Sequence, residues 1–186
     1  MDSASRPSAA GINKAIKQAL RYWHQERDVD PIFTHFYLYR KLVRKTGGNT
    51  KLALNQFLLE GLTLLQGKYE QAAQLLQARF LDGLPIQRIM NQMNLAESTL
   101  YVLQRQAINS LVETIIATEQ MTTATQKAVM LERLGSPSYV ELVGVEEQLT
   151  QLQTLVVQDG PPWLIAIEGI GGIGKSSLAD ALLRTL

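Results

Sequence analysis

Through its first eighty positions the chain sets apolar residues three and four apart and never alternates them, a pattern that predicts helices and no strands there. After a polar tail over residues 1–10, GINKAIKQALRYWHQ brings Ile12, Ile16, Leu20 and Trp23 onto one stripe of an amphipathic helix. Asp30 and Pro31 supply a cap and a proline at the first helical position. They open a helix over PIFTHFYLYRKLVRK that stops at Gly47 and Gly48. Asn49 or Thr50 caps a third helix, KLALNQFLLEGLTLLQ, with Gly67 as its stop, and a fourth runs from Lys68 to Phe80. Trp23, Phe33, Phe36, Tyr37 and Tyr39 lie among basic residues, where aromatics can stack on nucleic-acid bases, but their near-helical spacing favours core packing.

From Gly83 the pattern tightens. GLPIQRIMNQM, NLAES and TLYVLQRQAINSL predict a helix, a short turn and a second helix over 83–111, with Ile86, Ile89 and Met93 facing Leu95, Leu100, Leu103 and Ala107. Residues 112–134 continue as one long helix or two, with Thr122 and Thr123 the weak point because β-branched residues are poorer helix formers. GSPSY, 135–139, is the clearest linker, and the domain boundary is expected there. A helix over 145–157, a turn at QDGPP (158–162) and a strand at WLIAIE (163–168) follow, the strand apolar enough to be buried on both faces. The expected fold class is mainly α. A helical bundle with a helix-turn-helix (11–134) precedes residues 140–186, where helix, strand, the loop GIGGIGKS (169–176) and a further helix read as the incomplete start of an α/β P-loop NTPase domain.

That loop carries the candidate chemistry. Gly169 to Ser176 reads GIGGIGKS and matches G-x-x-x-x-G-K-[ST]. The glycines Gly169, Gly171, Gly172 and Gly174, with Ile173 between them, let the backbone curl until successive N–H groups point inward at phosphate oxygens. The following helix adds its N-terminal partial positive charge, Lys175 reaches the β- and γ-phosphates, Ser176 completes the shell of a Mg²⁺ ion and Ser177 touches the α-phosphate. Leu178, Leu182, Leu183 and Leu186 give that helix an apolar face. Hydrolysis normally needs an acidic residue on another strand and a group that orients water. With neither in sight before Leu186, the expectation is the front of a longer protein, binding nucleotide without turning it over.

Charge sharpens the division. Residues 1–51 hold ten Lys/Arg against four Asp/Glu, and residues 52–186 hold eight against thirteen, so a net charge of +1 conceals a basic N-terminal part. A solvated helix face accounts for such an excess, as does contact with nucleic acid or an acidic partner. The absence of cysteine excludes disulfides and zinc–thiolate sites, and two histidines, His24 and His35, offer little for a protein-held metal. No apolar run is long enough to span a bilayer and no secretory signal opens the chain, so no membrane partner and a cytoplasmic location are expected.

GIGGIGKSSLADAL resembles the Walker A signature of the NB-ARC branch of the signal-transduction ATPases with numerous domains (STAND). YVELVGVEEQLTQLQTLV resembles the segment that precedes the loop in that family, extending the likeness over 139–186. The resemblance implies backbone contacts to adenine at Val143 and Gly144, ADP held at rest and exchanged for ATP on activation, and an effector role for the helical domain. The family usually follows Val-Gly with Arg, where this chain has Val145. GLPIQRIMNQMNLAESTLYVLQRQAINSL, 83–111, is similar to the C-terminal helix-turn-helix of bacterial sigma factors, which implies DNA reading by outward residues Glu97, Ser98, Thr99, Tyr101, Gln104 and Arg105. Over 83–111 only Arg88 and Arg105 stand against Glu97, few cations for phosphate contacts, and Ala96 occupies the usual Ser cap. A DNA-binding regulator and a protein-docking or self-associating adaptor without DNA contact therefore stay open beside the nucleotide-gated switch.

Overall fold

The computed structural model describes residues 7–137, 139–157 and 164–185. They are mainly helical, and the chain divides into two compact units, 1–123 and 124–186.

The first unit begins with α1, Ala9–Arg21, two residues ahead of the expected start, because the Ser8 side chain accepts from the Gly11 amide at 3.1 Å and caps it. Ile12, Ala15, Ile16, Ala19 and Leu20 form its buried stripe. Asp30 caps as the sequence indicates, its carboxylate accepting from the Ile32 amide at 3.0 Å, but the helix it opens is only a 3₁₀ turn, Pro31–His35. The chain straightens at Phe36 (φ −87°, ψ 123°) before α2, Tyr37–Lys45. The acceptor for the first amides of α2 comes from far along the chain. The Glu119 carboxylate accepts the amides of Tyr37 and Leu38, the latter at 3.1 Å, and so serves the orphan donors of α2 that Phe36 has no side-chain oxygen to meet.

α3, Thr50–Lys68, starts at an Asn49 cap and ends one residue past the expected stop at Gly67. Its buried residues Ala53, Leu54, Phe57, Leu58, Gly61, Leu62 and Leu65 cover a wide stripe, as suits the most enclosed helix of a bundle. Phe33, Phe36, Tyr39 and Phe57 pack with ring centroids 5.4 to 6.4 Å apart, so these aromatics fill the core. The fourth segment is shorter than expected: α4, Glu70–Leu76, passes into a π-helical turn over Gln77–Leu81.

Then come α5, Ile86–Met93, and α6, Glu97–Leu134. Asn94 turns the corner in the left-handed region (φ 52°), which asparagine tolerates better than most side chains. Leu75, Ile89 and Leu100 form a small buried cluster with Met93 and Leu103 packed against it, while Ala107 joins the main core. Residues 112–134 continue α6 as one helix through Thr122 and Thr123. The division between the units falls within it, at Thr123 and Ala124.

In the second unit α7, Glu146–Val157, packs on α8, Lys175–Thr185, and Gln153 donates to the Thr185 hydroxyl at 2.9 Å. Arg184 pairs with Asp180 at 2.9 Å and donates to the Gly135 carbonyl at 2.8 Å; the Asp180 hydrogen bond holds the guanidinium pKa above its usual value. Leu178 and Leu182 are buried with Ala181, Leu183 is exposed, and Leu186 lies outside the described residues. The expected turn at 158–162 and Trp163 also lie outside them. Over 164–168 no strand forms. A strand exists only where a neighbour takes up its amides and carbonyls, whereas a helix satisfies them internally. Burial on both faces is likewise not found: Ile165 and Ile167 are half-buried, and Leu164, Ala166 and Glu168 are exposed. That alternation retains the two-residue period of a strand with one covered side.

Candidate nucleotide site

The loop from Gly169 to Gly174 leads directly into α8. Gly172 (φ 81°) and Gly174 (φ 90°) occupy the left-handed region, and a side chain at either would strain the curl. The first closed turn of α8 is the bond from the Leu178 amide to the Gly174 carbonyl at 2.8 Å. Among the described residues the amides of Lys175, Ser176 and Ser177 meet no protein acceptor, as helix geometry requires of a first turn. They give the loop its field of donors for an anion.

Lys175 folds back over the loop. Its ammonium donates to the carbonyls of Gly169 at 2.9 Å and Ile170 at 2.8 Å, which places the charge beside the glycine curl rather than out in solvent. A phosphate offers that ammonium a full negative charge in place of two neutral carbonyls, a stronger partner. Gly171, Gly172 and Gly174 open onto free space, whereas a Cβ at Gly169 would meet Ile173 Cγ2 at 3.2 Å. Ser176 is exposed and Ser177 half-buried. The residues present therefore fit a phosphate group. For Mg²⁺ they offer the Ser176 hydroxyl, and among the described residues no group of three His, Asp or Glu side chains could hold a metal without the nucleotide's own oxygens.

Val143 and Gly144 stand just ahead of α7. Val143 is 79% exposed and Gly144 is left-handed (φ 72°). Among the described residues no hydrogen bond joins this pair to 169–177, so the phosphate and adenine sides are not brought together by direct bonding.

The outward set on the second helix of the helix-turn-helix is divided. Glu97, Ser98 and Thr99 are exposed on the first turn of α6. Tyr101, Gln104 and Arg105 instead line concavities shared with Lys17 on α1. Arg21 and Arg79 line one of these, although residue spacing does not single them out. The basic excess of residues 1–51 is the one signal in the sequence for Arg21, and Arg79 lies outside it. Among the described residues no helix is long and apolar enough to cross a membrane. Comparison with protein-family models, with curated proteins and with solved structures finds no match.

Proposed function

We propose that the chain is the N-terminal portion of a nucleotide-gated regulatory protein of the NB-ARC and STAND type, with residues 169–177 gripping the phosphates of ADP or ATP and the helical unit as effector. The observation that carries this reading is the Lys175 ammonium held against the glycine curl, directly ahead of three unpaired amides at the start of α8. The amides and Lys175 bind the β-phosphate, Ser176 orients a Mg²⁺ that arrives with the nucleotide, and Val143 with Gly144 contacts adenine through its backbone. Mg²⁺ supplies charge neutralisation across the phosphates. Binding, and not hydrolysis, is assigned to this chain. Gating then requires that the two nucleotide states favour different presentations of the helical unit.

Calorimetry on the 186-residue chain tests this. ADP is expected to bind, and Lys175→Ala to weaken it roughly 10- to 150-fold, the equivalent of losing a charge-assisted hydrogen bond of about 1.5–3 kcal/mol. Unchanged ADP affinity in the variant would overturn the assignment.

A further inference from the structure

We propose that the groove between α1 and the first turns of α6 binds single-stranded nucleic acid. Phosphates would sit on Lys17, Arg21, Arg79 and Arg105, and a base would lie against Tyr101. This stands independently of the nucleotide reading, since every residue in it belongs to the first unit.

The groove consists of two adjoining concavities of about 360 and 370 Å³ that share Lys17, Tyr101 and Gln104. Helical spacing builds it: Lys17 and Arg21 are four apart on α1, and Tyr101, Gln104 and Arg105 lie three and four apart on α6. At one end Asn13 donates to Asn109 at 2.7 Å and ties the two helices together. Among the described residues no aspartate or glutamate lines either concavity, and none of the four cations has an ion-pair partner. Arg79 directs one N–H to the Leu84 carbonyl at 3.3 Å, leaving other donors of its fork. Like charges gathered without a counter-charge repel, and an anion relieves that repulsion.

A further feature points to a nucleic acid rather than to a simple anion. Tyr101 lies between the cations, nearly half exposed, as a flat apolar face on which any base can stack. The shape selects a single strand. Duplex reading requires a helix to enter a major groove about 12 Å wide, whereas here Tyr101, Gln104 and Arg105 line a hollow beside α1, which a flexible strand can follow.

Fluorescence anisotropy on the full chain provides the test, with a labelled DNA strand of about 12 nucleotides, the same strand as a duplex, and a polyglutamate peptide as competitor. The single strand is expected to bind more tightly than the duplex and to resist the peptide. Three to four phosphate contacts imply a loss of affinity of about 20- to 50-fold between 50 and 200 mM salt. Lys17→Glu with Arg21→Glu should weaken binding at least about tenfold, while the same charge change at Lys41 and Arg44 on α2 leaves it unaltered. Tyr101→Ala should cost about tenfold with the salt slope preserved. All the substituted side chains are exposed, so thermal unfolding should be unchanged and loss of fold is separable from loss of contact. Tighter duplex binding, equal competition by polyglutamate, or equal losses in the α1 and α2 charge variants would each overturn the proposal, and Lys175→Ala is expected to leave strand binding intact.

Discussion

The first unit hides side chains from every one of its α-helices, while among the described residues the buried ones of the second, Leu178, Ala181 and Leu182, all lie on α8. Elsewhere in the second unit apolar side chains stand open: Leu164 is 86% exposed, Ile170 76% and Ile173 61%. The contrast follows from how the two kinds of element satisfy their backbones. Helices in the first unit close their own hydrogen bonds and need only an apolar face to pack, which α1, α2, α3 and α6 give one another. The segment 164–168 carries the side-chain rhythm of a strand but has no paired neighbour among the described residues, so its rhythm is present there and its pairing is not.

The largest effect that could break this comparison is a truncation at the centre of each unit. Phe33 is almost wholly enclosed and sits within 6.4 Å of three other rings, so Phe33→Ala should cost about 3–5 kcal/mol. Leu178→Ala should cost the second unit no more than about 2 kcal/mol, the low end for a leucine whose surroundings can collapse. Hydrogen exchange followed segment by segment reads both. Equal losses would mean that the second unit is as well packed as the first.

The same contrast explains what could be read before folding. Helix positions, the Asp30 and Asn49 caps and the corner between α5 and α6 follow from local rules, because apolar spacing and a capping oxygen act within one turn. The start of α2 after Phe36 does not, since the carboxylate that meets its first amides belongs to Glu119, eighty-two positions beyond Tyr37. The length of α3 was legible to within a residue or two, since the helix closes at Lys68, one position past Gly67. In the phosphate loop the sequence identified every residue by type, yet the bonds from Lys175 to two loop carbonyls required coordinates. Of the basic groove only Tyr101, Gln104 and Arg105 were legible, because the cations that complete it come from α1 and the π turn.

Packing density within the first unit is sharpened by its glycines. A Cβ at Gly61 would stand 2.9 Å from Cγ1 of the buried Ile115 and 3.2 Å from Leu111 Cδ1, so Gly61→Ala must displace the Ile115 side chain or α6 itself. Overpacking of about 1–3 kcal/mol set against the helix propensity of about 1 kcal/mol that alanine brings leaves an expected net loss of up to about 2 kcal/mol. Gly67→Ala, in the same helix with nothing within 4 Å, should stabilise by about 0.5–1 kcal/mol. Urea denaturation distinguishes the signs, and a stabilising Gly61→Ala would show that α3 and α6 are looser than their separation implies.

The smallest effect concerns the limit of the first unit's hold on α6. Glu119 is half-buried, four residues before the division at Thr123, and both its oxygens are engaged by the first amides of α2. Glu119→Gln preserves one acceptor and the side-chain volume but removes the negative charge from a helix N-terminus and aims an NH₂ group at an amide donor. The expected loss is about 1 kcal/mol, within the range for an N-terminal cap and a charge at the macrodipole. Its location is the informative part. Faster hydrogen exchange should appear in the first turn of α2 and in α6 around 115–123, with α7 and α8 unaffected. Equal loss of protection in α8 would mean that the two units unfold as one, and the contrast between them would then describe burial alone and not separate stability.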